Sequence, residues 1–242
     1  VNAIAQKPDG SLVDPFGGVV DLQQRSLKHV SAAFAEDPLR VFRVARFAAQ
    51  LPEFTVAPET LRLMRSMAAR GDLQSLSAER VWQETAKALG AVEPRRFFEV
   101  LFEAGAMSDW FAEIVLDDLS FPAPVPYEST SRQSIQGEAS YLEFGQLEAG
   151  KVRFAQLPLT NEAFQTLAAR LKTPNLFLQC ALDRVAWAEV VSAWQTVPAA
   201  ALGAAFDAMK VAHEQARLEW LVMWLSRQKE SEFAGLLELA RE

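Results

Sequence analysis

Three arginines at three-residue steps, Arg40, Arg43 and Arg46, follow directly on an acidic pair, Glu36-Asp37. In a helix turning about 100° per residue, each step of three shifts the side chain by roughly −60°, so the three guanidinium groups share an arc about 120° wide. Val41, Phe42, Val44, Ala45 and Ala48 fill most of the opposite arc. One side of this segment is a core stripe. The other is a row of forked cationic donors with carboxylates at its N-terminal end. That combination suits an anion with a polar edge to be read, such as a nucleotide. The same spacing also describes an ordinary amphipathic helix with a solvated arginine face, in which Glu36 pairs with Arg40 at i,i+4.

The elements that position these residues are helical. The pattern predicts the arginine helix over 36–50, with Pro38 tolerated in its first turn. A second helix is expected over 58–69, closed near Gly71, and a third after the N-cap candidate Ser77, with Glu79 in its first turn. A fourth opens at Pro94 and ends before Gly105. At the N-terminus, residues 1–6 and 11–14 flank Lys7-Pro8-Asp9-Gly10, a turn signal that predicts a short β-hairpin. Asp14-Pro15 and Gly17-Gly18 interrupt whatever strand precedes them. Residues 119–137 carry three prolines among Ser, Thr and Gln and are expected to be a linker. Helices are expected beyond it over 138–148, 161–172, 176–196, 199–227 and 230–241. Trp220 and Trp224 lie one turn apart in the fourth of these, a spacing that reads as core.

With 242 residues, half of them hydrophobic, the chain can bury one large core or two small ones. No run of about 18 apolar residues could span a bilayer. Nor does the start of the chain, with no basic stretch and no long apolar segment, resemble a signal peptide. The single cysteine, Cys180, cannot form an internal disulfide and fits a reducing cytoplasm. Two histidines, His29 and His213, are too few for a His-rich metal site and read as surface or packing residues. The net charge of −7 argues against a general nucleic-acid-binding surface. It is uneven: residues 1–110 hold 13 Lys/Arg against 14 Asp/Glu, and residues 111–242 hold 11 against 17. Any RNA contact belongs to local basic patches of the first half, such as Arg25-Lys28 or Arg95-Arg96.

Four motifs occur in a fixed order. Residues 1–5, Val-Asn-Ala-Ile-Ala, come first. Asp14-Pro15-Phe16-Gly17-Gly18 follows, with Asp21-Leu22 and Arg25. Lys28-His29-Val30-Ser31 then leads into Glu36-Asp37-Pro38-Leu39-Arg40, and Glu79-Arg80-Val81-Trp82-Gln83-Glu84 with Lys87 closes the series. In order and spacing they resemble the end of the head and the neck of class II tRNA nucleotidyltransferases, the CCA-adding enzymes and their bacterial poly(A) polymerase relatives. The resemblance covers roughly residues 1–115. It implies a mainly α fold: a hairpin remnant of the head over 1–21, a helical neck over 22–118, the linker over 119–137 and a helical body over 138–242.

The resemblance also implies roles. Asp37 and Arg40 would face the incoming base, and Arg43 and Arg46 would contact base or phosphates. A carboxylate accepts from the exocyclic amine of cytosine or adenine while a guanidinium donates to the ring acceptor beside it; uracil and guanine present the opposite pattern. Glu36 would pair locally. Arg80, Glu84 and Lys87 would brace the arginine helix, or equally form a salt-bridge ladder of their own. Asn2, Asp14, Asp21 and Arg25 belong to the head-to-neck connection, with Gly17 and Gly18 as its hinge. Substrates would be CTP and ATP, and the partner the 3′ end of the acceptor arm of tRNA. In such enzymes Mg²⁺ is held by two carboxylates of the head, upstream of the motif containing Asn2. The chain given is therefore expected to be inactive alone. Poly(A) or single-nucleotide addition, or a non-catalytic RNA- or protein-binding role, remains open on these motifs. In the second half, Val152-Arg153-Phe154-Ala155-Gln156-Leu157 is similar to the run before a His-Asp metal pair of phosphohydrolase domains, but Pro158-Leu159-Thr160 follows. The body is expected to be a degenerate relative without that activity.

Overall fold

The structure, a computed structural model, describes residues 4–121, 149–211, 215–225 and 234–239. It divides into two compact units, Val1–Phe121 and Pro122–Glu242. Asn2, His213 and the helix expected over 138–148 lie outside the described residues.

The first unit opens with the hairpin. β1 (Ala5–Gln6) pairs antiparallel with β2 (Leu12–Val13), with Ala5 opposite Val13. The turn is closed by Gly10 N–H donating to Lys7 C=O at 2.9 Å, and Gly10 takes φ 86°, which its missing Cβ permits. α1 (Gly18–Gln23) follows at once. Its first amides are satisfied by Asp14, which accepts from Gly18 N–H at 2.7 Å and Val19 N–H at 2.8 Å.

Periodicity did not signal the next feature. β3 (Ser26–Leu27) pairs in parallel with β4 (Thr55–Val56), across the whole of the arginine helix. The neck is thus helical with one two-residue parallel ladder. A strand of two residues is too short to show alternation, so only the tertiary contact reveals it.

The arginine helix is shorter than its pattern predicts. A 3₁₀ turn covers Ala32–Glu36, Asp37 is extended at φ −128° and ψ 102°, and α2 runs over Leu39–Gln50. Pro38 explains the shift: its ring disfavours helical geometry at the preceding residue. Glu36 and Arg40 are therefore not an i,i+4 pair on one helix. α2 buries Val41, Phe42, Ala45, Ala48 and Ala49 completely. It packs against α4 (Ala78–Leu89) and α5 (Arg95–Glu103). Its alanines let those helices approach closely. Phe42, Phe97 and Phe98 meet Phe111 at ring separations of 5.6–6.4 Å. α3 (Pro58–Ala69) starts directly after β4, as its proline predicts, and Gly71 beyond its end takes φ 77°.

In the second unit, α6 (Asn161–Leu171) is capped by Thr160, whose side chain accepts from Ala163 N–H. α7 (Asn175–Ser192) is its central element, touching α6, α8 (Ala199–Ala208) and α9 (Gln215–Leu225). The expected helix over 199–227 is two helices. Lys210 adopts φ 53°, and Lys210 and Val211 amides turn back onto Asp207 and Phe206 carbonyls, closing α8. α10 (Ala234–Leu239) adds Leu236 to a core of Val191, Leu202, Met209, Leu218 and Leu221. Cys180 is buried on α7.

Candidate functional site

The arginines of α2 do not act as one row. Arg40 and Arg43 line a cavity of about 550 Å³ together with Lys28, His29, Val30, Ser31, Ala33 and Val44, and with Phe16, Phe34, Leu27 and Phe47 as apolar walls. Four segments build it: the turn before α1, the chain leaving β3, the 3₁₀ turn and one face of α2. The β3–β4 ladder is what brings Lys28–Ser31 to that face, because it anchors the chain just before them. Arg40 donates to the Ala33 carbonyl, which holds one edge of the guanidinium against the wall and leaves its other donors for a ligand. Arg43 is half-buried and has no hydrogen-bond or ion-pair partner among the described residues.

Arg46 is elsewhere, contrary to the expectation that it would reach base or phosphates. It donates through Nε to Glu84 at 2.5 Å and through Nη1 to Gln50 at 2.6 Å, and its Cζ lies 4.1 Å from the Phe47 ring centre. Arg46 and Glu84 side chains are 11% and 10% exposed. A buried guanidinium needs a carboxylate partner, and the nearest comes from α4 rather than from a ligand.

Asp37 is also outside the cavity lining. Both its oxygens accept from Arg80 Nη2 at 3.1 Å, and Oδ1 accepts from Leu39 N–H at 3.2 Å. Arg80 and Glu84, expected as a ladder along one helix or as braces, each reach across from α4: one to Asp37, the other to Arg46. The Arg80 pair is well exposed and is worth about 0.2–1 kcal/mol. Lys87 is exposed on the same helix.

The connection residues form local structure. Asp14 is held below the usual carboxylate range, first by the Val19 amide and also by those of Gly18, Phe16 and Gly17. Gly17 takes φ 72° just before α1. A Cβ on Gly18 would lie 3.0 Å from the Ile4 side chain and 3.3 Å from Asp14 Oδ1, so Gly18 permits a close approach. Arg25 has φ 52° and pairs with Glu53 at 2.7 Å, both well exposed, while Asp21 sits half-buried in α1.

Sequence reasoning missed the cavity's other members. Lys28 reads from the sequence as part of a basic patch for RNA and His29 as a surface or packing residue, neither as lining a nucleotide cavity. Phe16 stands in the Asp14–Gly18 motif without a role of its own, and Phe34 and Phe47 carry no signal beyond their type, since separate segments supply the three rings. A polar pair directly after a buried strand residue, Leu27, was the one available cue.

A family described as "Probable RNA and SrmB-binding site of polymerase A" matches residues 53–116. The CCA-adding enzyme of Coxiella burnetii (strain RSA 331 / Henzerling II) is 40% identical over 184 residues, which cover 75% of this chain and 45% of the relative. The chain belongs to the CCA-adding enzyme and poly(A) polymerase family. The multifunctional CCA protein of Hahella chejuensis is 58% identical over 116 residues, 47% of this chain and 28% of the relative. The chain thus spans less than half the length of these relatives. Among solved structures, the CCA-adding enzyme of Bacillus stearothermophilus in complex with CTP matches with a TM-score of 0.63 at 21% identity, covering 99% of this chain and 56% of that one. The Thermotoga maritima CCA-adding enzyme complexed with tRNA-CCA matches at 0.61 and 17%, covering 100% and 58%. Those two likenesses speak for the fold. No described helix is long and apolar enough to cross a membrane.

Proposed function

We propose that this chain is the nucleotide-selecting neck and the body of a tRNA nucleotidyltransferase of the CCA-adding type. The observation that carries this reading is the cavity, lined by Arg40, Arg43 and Lys28 together with Phe16, Phe34 and Phe47 and by no carboxylate, although the Lys28 Nζ lies 3.4 Å from Glu59 just outside the lining. Cations at one wall suit a triphosphate, and aromatic walls suit a base. Arg40 is the first-choice reader of the base. Asp37, outside the lining but three residues before Arg40, has a carboxylate that is 30% exposed with lone pairs beyond those that Arg80 uses, so it would accept from an exocyclic amine. Arg43 and Lys28 would hold phosphate oxygens. Arg46, Glu84 and Arg80 keep α2 in place, with Gly17 and Gly18 shaping the entry to α1.

The complexes of the named neighbours support CTP and tRNA as substrate and partner, and ATP would supply the A of a CCA end. Mg²⁺, which supplies charge neutralisation in this kind of transfer, does not fit the described residues. The cavity offers it no carboxylate, and no group of three His, Cys, Asp or Glu side chains comes together among them. Its ligands would lie in the part of the relatives that this chain does not span. A unit boundary after Phe121 supports a neck over 22–118 followed by a separate body; Leu119 and Phe121 still pack on the neck, and residues 122–137 of the expected linker lie outside the described residues. Poly(A) polymerase is the second reading, favoured by the description of the match at 53–116.

The test uses the full-length protein with Mg²⁺ and a tRNA lacking its 3′ end, given CTP and ATP separately and together. Ordered addition of two C and one A is expected. Long A-tails would establish the second reading, and no extension would leave a binding role.

A further inference from the structure

His29 is bound into the cavity wall in a way that dictates which of its nitrogens carries hydrogen. Its backbone N–H donates to Thr60 Oγ1 at 3.0 Å, and its ring Nδ1 lies 2.8 Å from the same oxygen. Thr60, in the first turn of α3, is completely buried. Its hydroxyl proton has no other acceptor among the described residues, so it goes to Nδ1. The neutral ring then has its hydrogen on Nε2. The imidazolium carries one there as well. The edge of Phe34 packs on the ring, with centroids 5.7 Å apart, and limits its rotation. With Nδ1 turned to a buried oxygen, Nε2–H is the remaining polar group of the ring, and His29 is one of the residues that line the cavity.

We infer that His29 is a nucleotide-binding residue whose Nε2–H donates to an acceptor atom of the bound CTP or ATP. Thr60 is a positioning residue that holds the required tautomer. The inference rests on the nucleotide reading of the cavity. It adds a directed N–H donor to the cations already there. A fixed donor discriminates by geometry where Lys28, Arg40 and Arg43 attract by charge. A packing role would need the Nδ1 contact alone.

Two substitutions separate these roles. Asparagine places its amide where Nδ1 stands and can keep the Thr60 contact, whereas glutamine reaches the Nε2 position. Full-length wild-type, His29→Asn, His29→Gln and Thr60→Val proteins are titrated calorimetrically with CTP, ATP and cytidine, and their melting temperatures recorded. The Asn variant is expected to bind CTP about 10-fold more weakly than the Gln variant, the worth of one hydrogen bond. Thr60→Val, nearly isosteric, is expected to weaken CTP about 3-fold without touching the ligand. Persistence of the Asn–Gln difference with cytidine places the acceptor on the nucleoside, and its loss there places it on the triphosphate. Asn binding as well as Gln, at normal wild-type affinity, overturns the His29 assignment alone. No binding of either nucleotide by the wild-type protein overturns it together with the cavity reading.

Discussion

In the first unit Arg46 meets Glu84 at 2.5 Å; in the second, Arg217 meets Asp183 at 2.8 and 2.5 Å. Each pair joins two helices, and each is roughly a tenth exposed or less. Their surroundings differ. Arg46 is on the helix that also carries Arg40 and Arg43 to the cavity, so its anchor sets the rotation of that helix about its axis. Asp183 and Arg217 join α7 to α9 among core side chains. The same chemistry therefore supports a site in one unit and packing in the other. Removing one partner of a buried pair strands a charge in an apolar setting, whichever role the pair has. Function separates them where stability does not.

The largest expected effects test that separation directly. Asp183→Ala and Glu84→Ala should each cost about 3–5 kcal/mol, by denaturant unfolding of the full-length protein. Only Glu84→Ala should also weaken CTP binding, by about 10-fold at temperatures where the protein remains folded. Equal loss of binding in both would mean that α2 is not specially dependent on its anchor. Replacing Asp183 and Arg217 together by Leu and Met should recover most of the stability, since no charge is then left unpaired.

Arg40→Ala sharpens the contrast from the other side. It should weaken CTP and ATP about 10- to 100-fold, the range for a hydrogen bond to a charged group, with a stability change within about 1 kcal/mol. If stability fell with binding to the same extent, Arg40 would belong with Arg46 as a structural residue.

The smallest effect concerns Asp14. Its carboxyl is held below the ordinary value of 3.8 because backbone amides at the start of α1 donate to the charged form. A lowered value in the folded state means that its contribution to stability is complete above pH 3.8 and is lost as pH falls through the folded value. The amide resonance of Val19, followed by NMR against pH, should titrate with a midpoint below 3.8. A midpoint at or above it would show that the bonds at 2.7 and 2.8 Å do not persist in solution.

Much of the helical frame was legible. α3 begins at its proline and ends at the predicted residue, and Gly105 closes the stretch after α5 with φ 66°. These are local effects: proline at a first turn and glycine in the left-handed region act within a few residues. Where prediction slipped, a local rule had been outweighed by a neighbour. Pro38 pushed Asp37 out of the helix, and Lys210 turned left-handed and split α8 from α9. The cavity was legible in part. Arg40 and Arg43 came from the spacing, but His29 and the three phenylalanines did not.

By itself, the sequence determined the mainly α class, the core stripe of α2 and the choice of arginine for its other arc, because side-chain type and a period of 3.6 suffice for those. Tertiary structure decided which arginine does what. Arg40, Arg43 and Arg46 are equivalent by period. A carboxylate 38 residues away captures the third, and a carbonyl seven residues back orients the first. Likewise, Thr60 is 31 residues from His29, yet its hydroxyl assigns the histidine's hydrogen. Helical periodicity is a property of neighbours along the chain, whereas the desolvation that forces a buried charge or hydroxyl to find its partner exists only once distant segments have packed.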